Sequence, residues 1–186
     1  MVHLSQLWLP ILLSAFLVFL ASSVIHMVVK WHNSDYRKLP QEDAVRAAFN
    51  AAAPAPGQYV LPYCMDPKEM AHEDMARRYA EGPVALVWLK APGAPAMGGT
   101  LAGWFLYTVV LAFFVAYLAA HTLAPGAHYL QVFRVVGATA FLAYAGGAVP
   151  NSIWMGKPWA VTAKEAADGL IYALVTAGAF GWLWPK

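Results

Sequence analysis

The sequence predicts an all-α membrane protein, a bundle of four transmembrane helices with a small α/β cytoplasmic insertion between the first and second helix. Three observations predict this fold. Of the 186 residues, 60% are hydrophobic and only 12% are charged, against about 45–50% and 25% in an ordinary soluble domain. Four windows are long and apolar enough to cross a bilayer core, which needs about 20 helical residues. One long polar stretch lies between the first two windows.

Composition also excludes several classes of protein. One Cys excludes a disulfide scaffold, and the 14% of aromatic residues excludes a disordered or collagen-like chain. The net charge of +2 provides no strong basic field of the kind that nucleic-acid-binding proteins carry. We therefore expect membrane lipids, other membrane-protein subunits or a second copy of this chain as partners, and no nucleic acid.

The four windows lie at residues 7–29, 100–120, 129–149 and 166–184. The first two contain no charged residue, the third contains Arg134, and the fourth contains Asp168 near its first turn. The chain is therefore predicted to divide into a first span within residues 1–30, an insertion over 31–98 and three further spans within 99–186.

A cleaved signal peptide is the alternative interpretation of the first window, because Ala21, Ser22 and Ser23 form a run of small residues. Signal peptides have a positively charged start and an apolar stretch of about 7–15 residues. Residues 1–6 contain no Lys or Arg, and the window is longer than that stretch. We therefore expect a retained span.

Lys and Arg near the window ends predict the orientation, because positively charged loops resist translocation. Lys186 is the one such residue on the side of the two termini. The opposite side carries seven, namely Lys30, Arg37, Lys38, Arg46, Lys90, Lys157 and Lys164. Both termini are therefore predicted to face outward, with the insertion and the loop 150–165 in the cytoplasm.

The polar insertion is predicted to contain a helix, a strand, a helix and a strand, at residues 40–50, 59–64, 67–80 and 84–90. Asp66 and Pro67 indicate the start of the second helix, because Asp caps free amides and Pro suits the first helical position. Four short elements cannot bury a sufficient core of their own. We expect the insertion to pack on the bundle or on a partner.

Small residues at four-residue spacing predict which faces of the spans meet, since helices in lipid associate through close backbone approach. The stripes are Gly169, Ala173, Ala177 and Gly181 on span four, Thr139, Ala143 and Gly147 on span three, and Ala112, Ala116 and Ala120 on span two. This spacing is compatible with one closed bundle and with a homodimer.

Thr162 and Glu165 have the spacing of a capping box, which predicts that the fourth helix begins there. Lys164, Glu165 and Asp168 then lie in the headgroup zone. This placement argues against Asp168 as a buried proton-relay carboxylate.

Arg134 lies about five residues inside the third span, and an intramembrane charge is a functional candidate by default. Every Asp and Glu lies on the predicted cytoplasmic side. Arg134 is therefore expected either to snorkel to a lipid phosphate or to bind an anionic ligand or a partner's carboxylate. His121 and His128 flank the outer hairpin and join Arg134 as candidate ligand or lipid contacts.

No metal or cofactor site is predicted. His3, His121 and His128 share the outer side, but no acidic or thiolate ligand accompanies them and their spacing matches no established metal motif. His26 lies at the inner end of the first span, so it cannot share a haem iron with the outer histidines. His26 and Lys30 are interpreted as two polar side chains that lie together at the membrane interface.

No catalytic residue is predicted either. The sequence lacks a phosphate-binding Gly-rich loop, a Gly-x-Ser-x-Gly motif, a Cys-x-x-Cys motif and a His-Glu-x-x-His motif. His72, Glu73 and Asp74 offer acid and base groups, but the helical periodicity places them on a solvated face. The expected class is therefore a protein that is not an enzyme.

Two regions resemble a group of uncharacterised bacterial inner-membrane proteins with about four spans. They are WHNSDYRKLP at residues 31–40, and NSIWMGKPW at 151–159 together with WLWP at 182–185. The resemblance implies a multi-pass protein of the bacterial inner membrane, with periplasmic termini in the orientation above. It implies no activity, and no functional residue is carried over.

The expected function is that of a non-enzymatic accessory or assembly subunit of a larger membrane complex, with the insertion as its docking surface. The alternative is a small homodimeric transporter or channel for an anionic or small solute, using Arg134 and the outer histidines. An enzyme acting on lipid headgroups ranks third, because only the cytoplasmic side has carboxylates for it.

Overall fold

The computed structural model describes all 186 residues, Met1–Lys186, and is mostly helical with one small sheet. It divides into two compact units, one formed by Met1–Arg37 with Ala96–Lys186 and the other by Lys38–Pro95. In chain order the elements are α1 (Trp8–Val24), α2 (Glu42–Ala52), β1 (Gly57–Leu61), α3 (Pro67–Met70), α4 (Glu73–Glu81), β2 (Ala85–Leu89), α5 (Met97–Thr122), α6 (Tyr129–Ala145), α7 (Ala148–Met155) and α8 (Trp159–Trp182).

Three helical segments of the first unit are long and apolar enough to cross a membrane. They are Leu4–Val29, Met97–Thr122 and Tyr129–Met155, with mean hydropathies of 2.3, 2.1 and 1.5. These segments mark the chain as a membrane protein. Helix α8 has 24 residues, but Lys164, Glu165 and Asp168 in its first half make it less apolar. Three of the four predicted crossings therefore meet both criteria, length and composition, and the crossing by α8 stays a prediction.

Helix α8 is the central packing element of the first unit, because it lies along α6 and also contacts α1. Helix α5 in turn packs against α1 and α6. The core that these helices enclose contains buried side chains from every one of them, including Ile11, Val115, Val136 and Phe180. Each long helix thus contributes one apolar face to a common interior.

The contact between α6 and α8 is close at several small residues, and the two helices run antiparallel. A Cβ at Gly169 would lie 2.9 Å from Ala145 Cβ, and one at Gly181 would lie 2.7 Å from the Tyr129 ring. Gly137 sits against Ala177, with 3.4 Å between a built Cβ and Ala177 Cβ. The small-residue stripe of α8 therefore lies at this interface.

On α6 the residues that meet α8 differ from the predicted stripe. Thr139 and Ala143 are half-buried, and Gly147 is exposed beyond the end of the helix. Thr139 follows Gly137 by two positions, and Ala143 precedes Ala145 by two. Because two positions turn a side chain by about 200° around a helix, the predicted stripe lies away from α8. On α5, by contrast, Ala112, Ala116 and Ala120 are all buried.

The start of α8 also corrects an expectation. Its N-cap is Pro158, so Thr162 lies one turn inside the helix, where its hydroxyl shares a hydrogen bond with Ser152. Glu165 forms an ion pair with Lys157. No capping box forms, and Asp168 is buried with 5% of its surface exposed. The expectation that Asp168 is not buried is therefore wrong.

The second unit contains the predicted helix, strand, helix, strand order, with one helix split. Strands β1 and β2 pair antiparallel, with Tyr59 opposite Val87. The Asp66 side chain caps the amide of Lys68 at 2.9 Å, but α3 ends at Met70 and a second N-cap at His72 starts α4. Cys64 is the one buried residue of this unit. The unit therefore has almost no interior.

Gly169 and Gly178 offer a matched test of the α6–α8 contact. We expect Gly169→Ala to destabilise the protein by about 1–3 kcal/mol, because the added methyl group overlaps Ala145. Gly178 has open space around its Cβ position, so Gly178→Ala should be neutral or slightly stabilising through its better helix propensity. Thermal unfolding in detergent measures both, and equal behaviour of the two variants contradicts the close approach.

Candidate functional site

The first unit carries a polar cluster where the end of the first helical segment meets the first half of α8. Its members are His26, His32, Asp35, Lys164 and Asp168. Most of these side chains are shielded from solvent, which is unusual for so many ionisable groups in so apolar a chain. The cluster is therefore the strongest candidate for a functional site.

A sharp reversal of the chain builds the cluster. After α1 the helix widens into a π turn over Ile25–Val29, and Lys30 then adopts a left-handed conformation with φ of 56°. A 3-10 turn follows over Trp31–Asp35. A left-handed residue other than Gly costs about 1–2 kcal/mol, so contacts elsewhere must hold this turn in place.

The reversal stacks two imidazole rings. His26 and His32 lie with ring centroids 4.9 Å apart and planes 10° apart. Trp31, between them in sequence, packs beside the buried side chains of Ile25 and Tyr172. The aromatic packing thus fixes the 3-10 turn from one side, while the imidazole of His32 faces the polar side.

His32 bridges two carboxylates. Its Nδ1 lies 2.7 Å from Asp35 Oδ2, and its Nε2 lies 2.8 Å from Asp168 Oδ2. Carboxylate oxygens only accept hydrogen bonds, so in the absence of another cation both nitrogens carry a proton and the ring is an imidazolium. His32 then joins the 3-10 turn to α8 by two charge-assisted hydrogen bonds.

The environment of these groups favours their charged forms. Partial burial lowers the pKa of His32, but the hydrogen bonds and negative charges of Asp35 and Asp168 outweigh it and leave the pKa above its ordinary value. The hydrogen bond from Lys164 lowers the pKa of Asp35, and His32 adds to that effect against the opposing influence of desolvation. The cluster is thus an alternating array of charges.

Lys164 on α8 holds the 3-10 turn from the other side. Its Nζ donates to the Trp31 carbonyl and to Ser34 Oγ, both at 2.8 Å, and to Asp35 Oδ1 at 2.5 Å. All three ammonium protons are therefore used within one turn of backbone. The segment after the first span is thus attached to α8 at two places, through Lys164 and through Asp168.

Two polar atoms in this region are buried without a hydrogen-bond partner, Asp168 Oδ1 and Trp31 Nε1. His26 donates from Nδ1 to the Ser22 carbonyl at 2.9 Å, which leaves the lone pair of its Nε2 free. One nitrogen or oxygen atom from each of His26, His32 and Asp168 lies within 4.8 Å of the other two. These three residues could together hold a metal ion.

Sequence reasoning did not find this cluster. It paired His26 with Lys30 and placed Asp168 among the lipid headgroups. One available signal was that His26, His32 and Asp168 all fall at the same predicted end of their spans. That signal gives depth in the membrane but not which spans are neighbours, so it could not place His32 beside Asp168.

The structure brings together two of the three residues predicted to contact a ligand or lipid. Arg134 and His128 line a surface cavity of about 590 Å³ beside the hairpin between α5 and α6, together with Gln131. His128 also caps α6, accepting from the Leu130 amide at 3.3 Å. His121 is absent from the cavity lining and instead contacts Tyr117. Arg134 is exposed and forms no ion pair.

Comparison of the chain with protein-family models, curated proteins and solved structures gives no match. The resemblance to bacterial inner-membrane proteins therefore stays a prediction.

Lys164→Ala tests how the 3-10 turn is held. The variant removes three donors from Trp31–Asp35, and hydrogen bonds involving a charged group are worth about 1.5–3 kcal/mol each at most. We expect amide hydrogen exchange across this segment to accelerate by about 10–100-fold, since local opening becomes easier. Lys157→Ala, which breaks only the ion pair with Glu165, should leave exchange at 31–35 unchanged. Equal exchange in the wild type and Lys164→Ala contradicts the attachment.

Proposed function

We propose that the protein is a non-enzymatic accessory or assembly subunit of a larger complex in the bacterial inner membrane, and that residues 38–95 form its docking surface. The observation that carries this proposal is the apolar surface of the second unit. A unit that buries only Cys64 cannot be stabilised by its own core. Its apolar side chains must therefore be covered by another surface.

The sheet of this unit has mostly apolar side chains on both faces. Side chains directly opposite each other in an antiparallel pair share a face. Val60 opposite Leu86 and Trp88 opposite Gln58 form one face, in which Gln58 is the one polar side chain. Tyr59 opposite Val87, with Leu61 opposite Ala85, forms the other. An isolated pair of strands is marginal in water, so the sheet is expected to be covered on at least one face.

The exposed side chains around the sheet are large. Trp88 is 64% exposed, and Tyr63 and Met65 in the segment after β1 are 70% and 73% exposed. Aromatic and Met side chains are enriched in protein interfaces, and contiguous apolar surface marks interaction sites. A partner subunit with a matching apolar surface is the occupant this chemistry favours.

The layout that we propose has four crossings and both termini in the periplasm. Helix α8, with 24 residues, extends over about 36 Å, which is enough for a bilayer core. Its charged groups have partners, since Glu165 pairs with Lys157 and Asp168 with His32. Its antiparallel packing on α6 agrees with a hairpin that crosses and returns.

Cysteine labelling tests the layout. In a Cys64→Ala background, single Cys residues at the exposed positions Ser5, Lys68 and Lys186 are probed in intact cells with an impermeant maleimide. We expect labelling of Ser5→Cys and Lys186→Cys, and protection of Lys68→Cys until the membrane is opened. If Lys186→Cys is protected while Ser5→Cys reacts, α8 does not cross.

Site-specific photocrosslinking tests the docking surface. A photoreactive residue replaces Trp88 on the apolar sheet or Arg78 on the exposed side of α4. We expect position 88 to crosslink in cells to one protein in a fixed ratio, and position 78 to give no such product. Crosslinks from position 88 only to lipid, or only within the same chain, contradict the accessory role.

The second candidate function is a small homodimeric transporter or channel for an anion. The cavity that Arg134 and His128 line together favours it, because a cationic mouth concentrates anions. In proteoliposomes this function requires anion flux that falls at least tenfold in Arg134→Ala and persists in His121→Ala, whose side chain lies outside the cavity lining. Absence of flux in the wild type excludes it.

A further inference from the structure

His26, His32 and Asp168 form a donor set of two imidazoles and one carboxylate. Each offers one ligand atom, and these atoms lie within 4.8 Å of one another. Imidazole nitrogen and carboxylate oxygen are ligands that zinc and other divalent first-row transition metals accept. The three residues come from the π turn, the 3-10 turn and α8, so an ion here would join three separate segments.

Both imidazoles are oriented by hydrogen bonds at the nitrogen that would not bind the ion. His26 donates from Nδ1 to the Ser22 carbonyl, and His32 donates from Nδ1 to Asp35. Metal-binding histidines almost always make such a bond, often to a carboxylate, because it fixes the tautomer and the direction of the ring. In each ring Nε2 is then the available ligand.

Protonation of His32 does not give every polar atom of the cluster a hydrogen-bond partner. The proton shared between His32 Nε2 and Asp168 Oδ2 leaves Asp168 Oδ1, which is buried, without a hydrogen bond. His26 Nε2, on an exposed ring, makes no hydrogen bond within the protein and is free to bind an ion. A buried carboxylate oxygen that accepts nothing is costly, whereas one cation between the three side chains would interact with all of them.

The spacing of the ligand atoms is close to that of a small-cation site. In a tetrahedral zinc site, bonds of about 2.0–2.2 Å place neighbouring ligand atoms about 3.4 Å apart. The nitrogen and oxygen of His32 and Asp168 are closer, at 2.8 Å. The largest separation in the set is no more than 4.8 Å. Because the two rings are stacked with planes 10° apart, binding one ion requires a ring to reorient as well as movements of about 1.5 Å toward ligand distance.

We propose that His26, His32 and Asp168 bind one divalent transition-metal ion of the zinc class at this end of the helical unit. On binding, the ion takes the place of the Nε2 proton of His32, which is released to solvent, and Nδ1–H remains on Asp35. Asp35 is a positioning residue, because it orients His32 and does not bind the ion. Three protein ligands leave at least one coordination position for water or a partner's side chain.

The experiment uses the full-length protein in detergent, without a histidine tag, stripped with a chelator and titrated with Zn²⁺. We expect one zinc per chain by elemental analysis and a Tm that rises with zinc concentration, since an ion that binds only the folded state stabilises it. His26→Ala and Asp168→Asn should each raise the Kd for zinc at least 100-fold. Asp35→Asn should raise it by about 10–100-fold.

The control is His121→Ala. His121 is exposed and its Nδ1 lies 2.7 Å from the carbonyl four residues earlier, the same local geometry that His26 has with Ser22. It has no carboxylate nearby and should bind no zinc, so this variant should keep the wild-type stoichiometry and Tm shift. His26→Ala removes an exposed ring and should fold, so a result does not depend on the folding of Asp168→Asn.

Co²⁺ in place of Zn²⁺ gives a spectroscopic readout, since a bound ion with nitrogen ligands shows visible absorption bands. These bands should appear at one equivalent in the wild type and be lost in His26→Ala. Three outcomes overturn the proposal: no zinc at one equivalent, equal binding in His26→Ala and the wild type, or equal loss in His121→Ala. The first of these leaves His32 as an ion-paired imidazolium only.

Discussion

The buried carboxylate of Asp168 is the constraint on which the organisation of the first unit depends. A charge that is withdrawn from water in an apolar chain is stable only where cationic or hydrogen-bonding groups surround it. Helix α8 carries this carboxylate inward, and the chain after the first span turns back at Lys30 to bring His32 to it at 2.8 Å. The unusual backbone after α1 is thus explained by an electrostatic need on another helix.

The two ends of α8 are held by different physics. Near Asp168 the contacts are ionic, through His32 and through Lys164. From Gly169 to Gly181, about 18 Å along the helix, the contacts with α6 are steric, because small residues allow α6 to approach closely. Close packing drives the association of helices in lipid. The polar end adds ionisable side chains that can pair with other charges, which a stripe of Ala and Gly cannot do.

The second unit contrasts with the first in how it is stabilised. Its helices and strands obey local rules, as the Asp66 cap and the antiparallel register show. Yet its apolar side chains remain at the surface, so local rules alone do not give it a core. The exposed apolar surface that makes the unit weak as an independent domain is also the observation from which we propose a partner, since covering such surface is favourable.

The sequence by itself determined the features that depend on composition and local periodicity: the membrane class, the first three apolar segments, the small-residue face of α8 and the elements of the insertion. It did not determine which faces of α6 meet α8, where α8 begins, or that Asp168 is buried beside His32 and His26. Those depend on contacts between different segments of the chain, which for His32 and Asp168 lie 136 positions apart. Hydropathy measures how readily each segment leaves water, but it carries no information on which segments pack against each other. Only the tertiary structure decides that, because close packing and charge pairing act between helices and not along them.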